Sequence, residues 1–122
     1  MALMRVRLEL ARNPGFPDGS IRHGYEFVAP LDKNSHLDAK DWEKNRKSCT
    51  VRRFWGEEDE ENGMLVHGKA GWWFDYDSDD EEDDEPLFKL DRHTLKQGEY
   101  VSVTEHDGKL MAFKVVNARP VN

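Results

Sequence analysis

Apolar and polar residues alternate along several stretches of this chain, and the alternation predicts β-strands. Residues 4–12 are the clearest case, because Met4, Val6, Leu8 and Leu10 are separated by charged residues. A period of two places alternate side chains on one face of a half-buried strand. Enrichment in β-branched and aromatic residues predicts further short strands: residues 25–29, 50–55, 64–67, 72–76 and 87–90.

A single short helix is predicted between residue 39 and about residue 46. Asp38 stands at the N-cap position, where its carboxylate can accept a hydrogen bond from a free backbone N–H of the first turn. Leu37 and Trp42 occupy the two positions of a hydrophobic staple, which fixes the angle at which the chain enters the helix. A helix this short needs tertiary packing, so we expect it to lie against the core.

The last part of the chain predicts a hairpin whose register follows from its apolar residues. A two-residue turn would scatter the large apolar side chains over both faces of the hairpin. A three-residue loop at residues 106–108, with its glycine at positive φ, instead sets Val103 opposite Met111 and Val101 opposite Phe113. The sequence therefore favours the three-residue loop.

Together these elements predict a mainly β fold. Seven or eight short strands and one helix are typical of a small antiparallel β-barrel, or of a strongly curved sheet closed by the helix. With 122 residues, the chain has the commonest size of one domain. We therefore expect residues 1–122 to form a single domain.

Acidic residues are concentrated in two short runs. Residues 57–61 contain five acids, and nine of the eleven residues from 75 to 85 are Asp or Glu. Without these fourteen carboxylates, eleven acids remain against 18 Lys and Arg, a balance of +7, although the net charge of the chain is −7. Carboxylates at this density repel one another and resist burial. The sequence predicts a basic framework with acidic loops at about residues 57–62 and 77–86. These loops either confer solubility or lie across the basic surface and compete there with anionic partners.

The second acidic run also contains candidate metal ligands. Crowded carboxylates suit Ca²⁺ or Mg²⁺, and Asp75, Asp77 and Asp79 occupy positions one, three and five of an EF-hand loop. The motif then fails, because its sixth position is Asp80 instead of Gly and its twelfth is Pro86 instead of Glu. The four aspartates remain candidates for a weak, nonselective cation site, and the alternative is a solvated charged loop that binds no metal.

Arginine and aromatic residues are the candidate contacts for a partner. Arg5, Arg7 and Arg53 supply positive charge, and Trp55 and Trp73 supply rings that can stack or anchor. Small β-barrels use such residues on single-stranded nucleic acid, but the overall acidity opposes a polyanion. We therefore favour a protein partner or a second copy of the chain, with nucleic acid or another anion as the alternative.

Signals for catalysis are weak. The five histidines show no HxH or HExxH spacing, and the chain contains no GxSxG, P-loop or dinucleotide-binding motif. The lone Cys49 excludes an internal disulfide and fits a reducing compartment. Arg5 and Arg7 interrupt the apolar stretch that an N-terminal signal peptide would need, and no apolar run is long enough to cross a bilayer. We expect a cytoplasmic, non-enzymatic binding domain without a membrane partner.

Overall fold

The computed structural model describes residues 3–68, 71–76, 85–86, 94–104 and 109–121. These residues form eight strands, one α-helix and a 3₁₀ turn. The strands are β1 Leu3–Leu10, β2 Ser20–Pro30, β3 Thr50–Trp55, β4 Glu58–Gly68, β5 Gly71–Tyr76, β6 Glu85–Pro86, β7 Tyr100–Thr104 and β8 Leu110–Pro120. The helix α1 is Ala39–Asn45, and the 3₁₀ turn that follows it is Arg46–Ser48.

The strands form one antiparallel sheet in the order β6-β5-β4-β3-β2-β1-β8-β7. The sheet is strongly curled into a half-barrel, and Cα atoms of the end strands β6 and β7 come within 8 Å of each other. The predicted mainly β fold, with a strongly curved sheet and one short helix, is confirmed.

The core lies on the inner face of the curled sheet. Along β1, Val6, Leu8 and Leu10 are buried, so the predicted alternation is confirmed. Four aromatic rings fill the middle of the half-barrel. Tyr25 lies 5.2 Å from Phe74 and 5.3 Å from Phe113, and Phe27 lies 5.4 Å from Phe74, measured between ring centroids. We call the opposite side of the sheet its outer face.

Helix α1 packs against the core at one end of the half-barrel. The predicted N-cap is confirmed, since Asp38 Oδ1 accepts a hydrogen bond of 3.2 Å from the backbone N–H of Asp41. Leu37 and Trp42 are both buried in the core. Trp42 Nε1 also donates a 2.8 Å hydrogen bond to the carbonyl oxygen of Leu65 on β4. The helix therefore bonds to β4 just beyond Met64, where the pairing of that strand with β3 ends.

The first acidic run does not form the predicted loop. Only Gly56 and Glu57 make the turn after β3, and residues 58–62 belong to the long strand β4. The strand is possible because its acids lie beside the arginines of β3. Arg52 Nη1 is 2.8 Å from a carboxylate oxygen of Glu60. The attraction between these two groups offsets the repulsion between neighbouring carboxylates. Residues 77–84 of the second predicted acidic loop lie outside the described residues, and Glu85–Pro86 forms β6.

The register of the terminal hairpin is confirmed. Val101 pairs with Phe113 and Val103 with Met111, although the predicted loop at residues 106–108 lies outside the described part of the chain. The predicted strand at residues 87–90 also lies outside it. Within the described ranges, none of the helical structure is long and apolar enough to cross a membrane.

Candidate functional site

Strand alternation divides the five candidate partner-binding residues between the two faces of the sheet. Arg5 and Arg7 lie on the outer face of β1, between the buried inner-face residues. Arg53 and Trp55 lie on the inner face of β3, and Trp73 lies on the outer face of β5 between two buried rings. The five side chains therefore do not form one continuous surface.

The outer-face arginines near the middle of the sheet are already neutralised. Arg7 Nε is 2.8 Å from Glu9, and Arg7 Nη1 is 3.4 Å from Glu26. The ring of Phe54 lies between two guanidinium groups, 4.4 Å from that of Arg7 and 5.4 Å from that of Arg52. Such cation–π contacts hold a cation against a ring and leave it less available for a ligand. Arg7 therefore stabilises the outer face.

Arg53 and Trp55 stabilise the end of the half-barrel opposite α1. The Arg53 guanidinium lies 4.4 Å from the centre of the Trp55 ring and 3.8 Å from a carboxylate oxygen of Glu61. Its side chain is only 7% exposed. Trp55 also packs edge to face against His23 at 4.7 Å. These contacts leave little of Arg53 for a partner to reach.

The candidate metal ligands are only partly described. Asp75 lies exposed on β5, while Asp77, Asp79 and Asp80 lie outside the described residues. In the ranges that the structure covers, no group of three His, Cys, Asp or Glu side chains is arranged to hold a metal ion. The Ca²⁺ or Mg²⁺ site therefore stays a prediction.

Cys49 is a core residue. It is fully buried, and its Sγ donates a 3.4 Å hydrogen bond to the carbonyl oxygen of Asn45. Burial raises the pKa of the Cys49 thiol to about 11. At neutral pH the thiol is protonated, so it is a poor nucleophile.

A site that the sequence did not predict arises from a bulge in β2. Successive residues Glu9 and Leu10 of β1 pair with Gly24 and Ser20 of β2, which leaves the three residues 21–23 without partners on β1. A side-chain hydrogen bond spans the bulge, because Ser20 Oγ lies 2.6 Å from Nδ1 of His23, three residues further along the chain. Bulges re-aim side chains at the margins of sheets and next to functional sites. This one turns His23 towards Trp55 on the inner face and leaves Ile21 in solvent.

Ile21 stands at the margin of a surface cavity of about 720 Å³, which we call the outer groove. It lies between the β1–β2 connection and the strands β8 and β7. Its lining includes Ala11, Arg12, Asp18, Ile21, Tyr100 and Lys114. Cavities of roughly 300–1,000 Å³ are typical of binding sites.

The two most exposed large apolar side chains of the described residues both line the outer groove. Ile21 is 74% exposed and Tyr100 is 58% exposed. Beside them, Arg12 and Lys114 form no ion pair with any described carboxylate. Of the acids in the lining, Glu9 already pairs with Arg7. The groove therefore combines exposed apolar surface with two uncompensated cations.

Comparison with known proteins adds no assignment. No protein-family model matches this chain, and searches among curated proteins and among solved structures found no similar chain. Any functional conclusion therefore depends on the geometry of the molecule itself.

Proposed function

We propose that this protein is a non-catalytic, cytoplasmic protein-interaction domain that binds an extended segment of a partner protein in the outer groove. The observation that carries the proposal is the exposure of Ile21 and Tyr100 on the same cavity. Exposing large apolar side chains costs roughly 25 cal/mol per Å² of apolar surface left in water. Clustered exposed apolar groups therefore mark interaction surfaces more often than isolated ones do.

The floor of the groove suits the close approach of a polypeptide backbone. Four of its lining residues have small side chains or none: Ala11, Gly19, Ser20 and Ala112. An extended segment lying over them can place one apolar side chain between Ile21 and Tyr100. Tyrosine is enriched among residues that dominate binding energy, because it buries a large area at a small entropic cost.

The charges around the groove supply orientation. Lys114 lies between Glu9 and Tyr100, since it pairs with Glu9 of β1 on one side and with Tyr100 of β7 on the other. Arg12 and Asp18 come from the β1–β2 connection on the opposite side of the cavity. A carboxylate of the partner can meet Arg12 or Lys114, and rim charges of this kind act mainly on the association rate and on specificity.

The Ser20–His23 contact supports a structural role better than a catalytic one. Ser20 Oγ accepts a 3.2 Å hydrogen bond from the backbone N–H of Arg22, so the hydroxyl is held within the bulge. The far edge of the His23 ring faces the backbone of Gly56, because a Cβ added at Gly56 would lie 3.1 Å from Nε2. The contact therefore fixes the bulge that presents Ile21.

A selection from a display library of random twelve-residue peptides tests the proposed function. We expect the folded protein to enrich peptides that bind with a measurable Kd in fluorescence polarisation. Ile21→Ser and Tyr100→Ala should each weaken that binding about tenfold or more, because loss of a buried anchor costs on the order of 1–3 kcal/mol.

Leu110→Ser is the matched control. Leu110 is 56% exposed on β8 and does not line the outer groove. Its substitution removes a similar exposed apolar side chain and should leave peptide affinity unchanged. The proposal is wrong if no peptide is enriched, or if Leu110→Ser weakens binding as much as Ile21→Ser does.

A further inference from the structure

Two arginines occupy directly opposed positions on the outer face of the sheet, at the end of β1 distant from the outer groove. Arg5 of β1 pairs directly with Arg119 of β8. Side chains at directly opposed positions of an antiparallel pair lie close together, and like charges there destabilise the sheet. An arrangement that is unfavourable in the isolated protein becomes favourable when an anion lies between or beside the two cations.

Within the described part of the chain, the guanidinium groups of this pair retain donors without a hydrogen-bond partner. Among the described carboxylates, the nearest to Arg5 is that of Glu26 at 3.7 Å, which is beyond hydrogen-bond distance. Arg119 is exposed and forms no ion pair with a described carboxylate. Glu26 makes its closest contact with Arg7, at 3.4 Å. The Glu26 carboxylate is thus shared by three guanidinium groups, and its contact with Arg5 is too long for a hydrogen bond.

A second observation is a cavity of about 390 Å³ beside Arg5, which we call the arginine cavity. Each of its polar side chains except Glu26 carries at least one hydrogen-bond donor. The donors are Arg5, Arg52, Thr50 and Asn62, and the apolar floor includes Val28 and Met64. The Arg52 guanidinium is 3.9 Å from Glu26 and pairs with Glu60 at 2.8 Å through Nη1, so Arg52 has fewer free donors than Arg5.

We propose that a small oxyanion carrying two or more negative charges binds at the β1 side of the arginine cavity. Arg5 is its central contact, Arg119 lies next to Arg5 across the β1–β8 pair and outside the cavity lining, and Arg52 lies on the opposite side of the cavity. Planar guanidinium forks match the oxygens of phosphate and carboxylate groups and form charge-assisted hydrogen bonds with them. The site is separate from the outer groove, so it adds a ligand to the proposed interaction function. Arg7 takes no part, because Glu9 and Phe54 hold its guanidinium elsewhere.

The test uses sodium pyrophosphate and sodium citrate as probes, each compared with sodium chloride at equal ionic strength. Isothermal titration calorimetry should give a Kd for the wild-type protein, and thermal unfolding should show a higher midpoint with the probe than with chloride. Binding by pyrophosphate alone would identify a phosphate-bearing ligand. Binding by citrate alone would identify a polycarboxylate ligand. Binding by both pyrophosphate and citrate would identify a general oxyanion site.

Three variants make the result specific. Arg5→Gln and Arg119→Gln should each weaken probe binding about tenfold, as expected for loss of a charge-assisted hydrogen bond. In chloride, Arg119→Gln should unfold at the same temperature as the wild type or higher, because it removes the repulsion from Arg5. Arg22→Gln, at an exposed arginine on the β2 bulge, is the matched control and should bind both probes normally.

The proposal is overturned if neither probe binds more strongly than chloride does. It is also overturned if Arg119→Gln retains the wild-type Kd, or if Arg22→Gln loses as much affinity as Arg5→Gln. The last outcome would show diffuse attraction to the whole basic surface. These salts can also stabilise proteins in general, which would raise the unfolding midpoint of all variants equally. An equal rise in midpoint, with the same Kd in every variant, would also contradict the site.

Discussion

Replacing Phe74 by alanine should lower the free energy of unfolding by about 3–5 kcal/mol, the usual cost of deleting a fully buried aromatic ring. Phe74 is 0% exposed, and its ring packs against those of Tyr25, Phe27 and Tyr76 at centroid distances of 5.2, 5.4 and 6.4 Å. Since β5 lies near one end of the strand order and β2 near its middle, this ring joins distant parts of the curled sheet. Urea denaturation followed by tryptophan fluorescence measures the loss.

Phe74→Leu is the control for that measurement. Leucine keeps part of the volume and all of the apolar character, so we expect it to cost about 1–2 kcal/mol, since apolar replacements of similar size disturb cores least. Equal effects of the two substitutions would contradict the central position of Phe74. The same conclusion would follow if the alanine variant lost less than about 1 kcal/mol, which is far below the range for a packed core ring.

Gly24→Ala should destabilise the protein by about 3 kcal/mol, at the upper end of the cost of overpacking. A Cβ at Gly24 would overlap the backbone carbonyl oxygen of Leu8, and it would stand 3.0 Å from the Phe54 ring. The close neighbour is backbone, so a change of rotamer cannot relieve the overlap. Strands β1 and β2 would have to separate, and Phe54 would have to leave its place between Arg7 and Arg52.

Gly15→Ala is the matched control for Gly24→Ala. Gly15 has φ of +87°, and a Cβ there would meet no atom within 4 Å. It should therefore cost only the backbone penalty of a left-handed conformation, about 1–2 kcal/mol. Amide hydrogen exchange distinguishes the two variants, since only Gly24→Ala should speed the exchange of the paired amides of β1 and β2. Equal exchange in both variants would contradict the observed register.

Much of the fold could be predicted because its signals are local. The alternation in β1 and the aromatic enrichment in β5 are visible within single segments, and the N-cap at Asp38 needs only its immediate neighbours. The register between β7 and β8 followed from matching apolar residues across one short turn. In each case the deciding interactions join residues that are close in the sequence.

Strand β4 could not be predicted at its N-terminal end, because its residues 58–61 are all acidic and show no alternation. What makes them a strand is pairing with β3, in which Arg52 and Arg53 lie beside Glu60 and Glu61. The first acidic run thus neutralises part of the basic framework. The predicted loop is wrong for this run, whereas residues 77–84 of the second run lie outside the described part of the chain.

The outer groove was also hidden from the sequence. Its key residue, Ile21, is exposed because three residues of β2 lack partners on β1, and nothing in the local pattern marks a bulge of that size. Sequence reasoning set Val101 opposite Phe113, which implies that the neighbouring Tyr100 lies opposite Lys114, and their observed pairing agrees. It could not place them beside Ile21, since that proximity depends on the pairing of β1 with both β2 and β8.

Mapping a selected peptide onto the protein by NMR tests the proposed binding surface most directly. When the peptide is titrated into ¹⁵N-labelled protein, the largest amide shift changes should occur at Ala11, Arg12, Ile21, Tyr100 and Lys114. They should be absent in the Ile21→Ser variant. Largest changes around Trp55 or Trp73, with the outer groove unperturbed, would contradict the assignment.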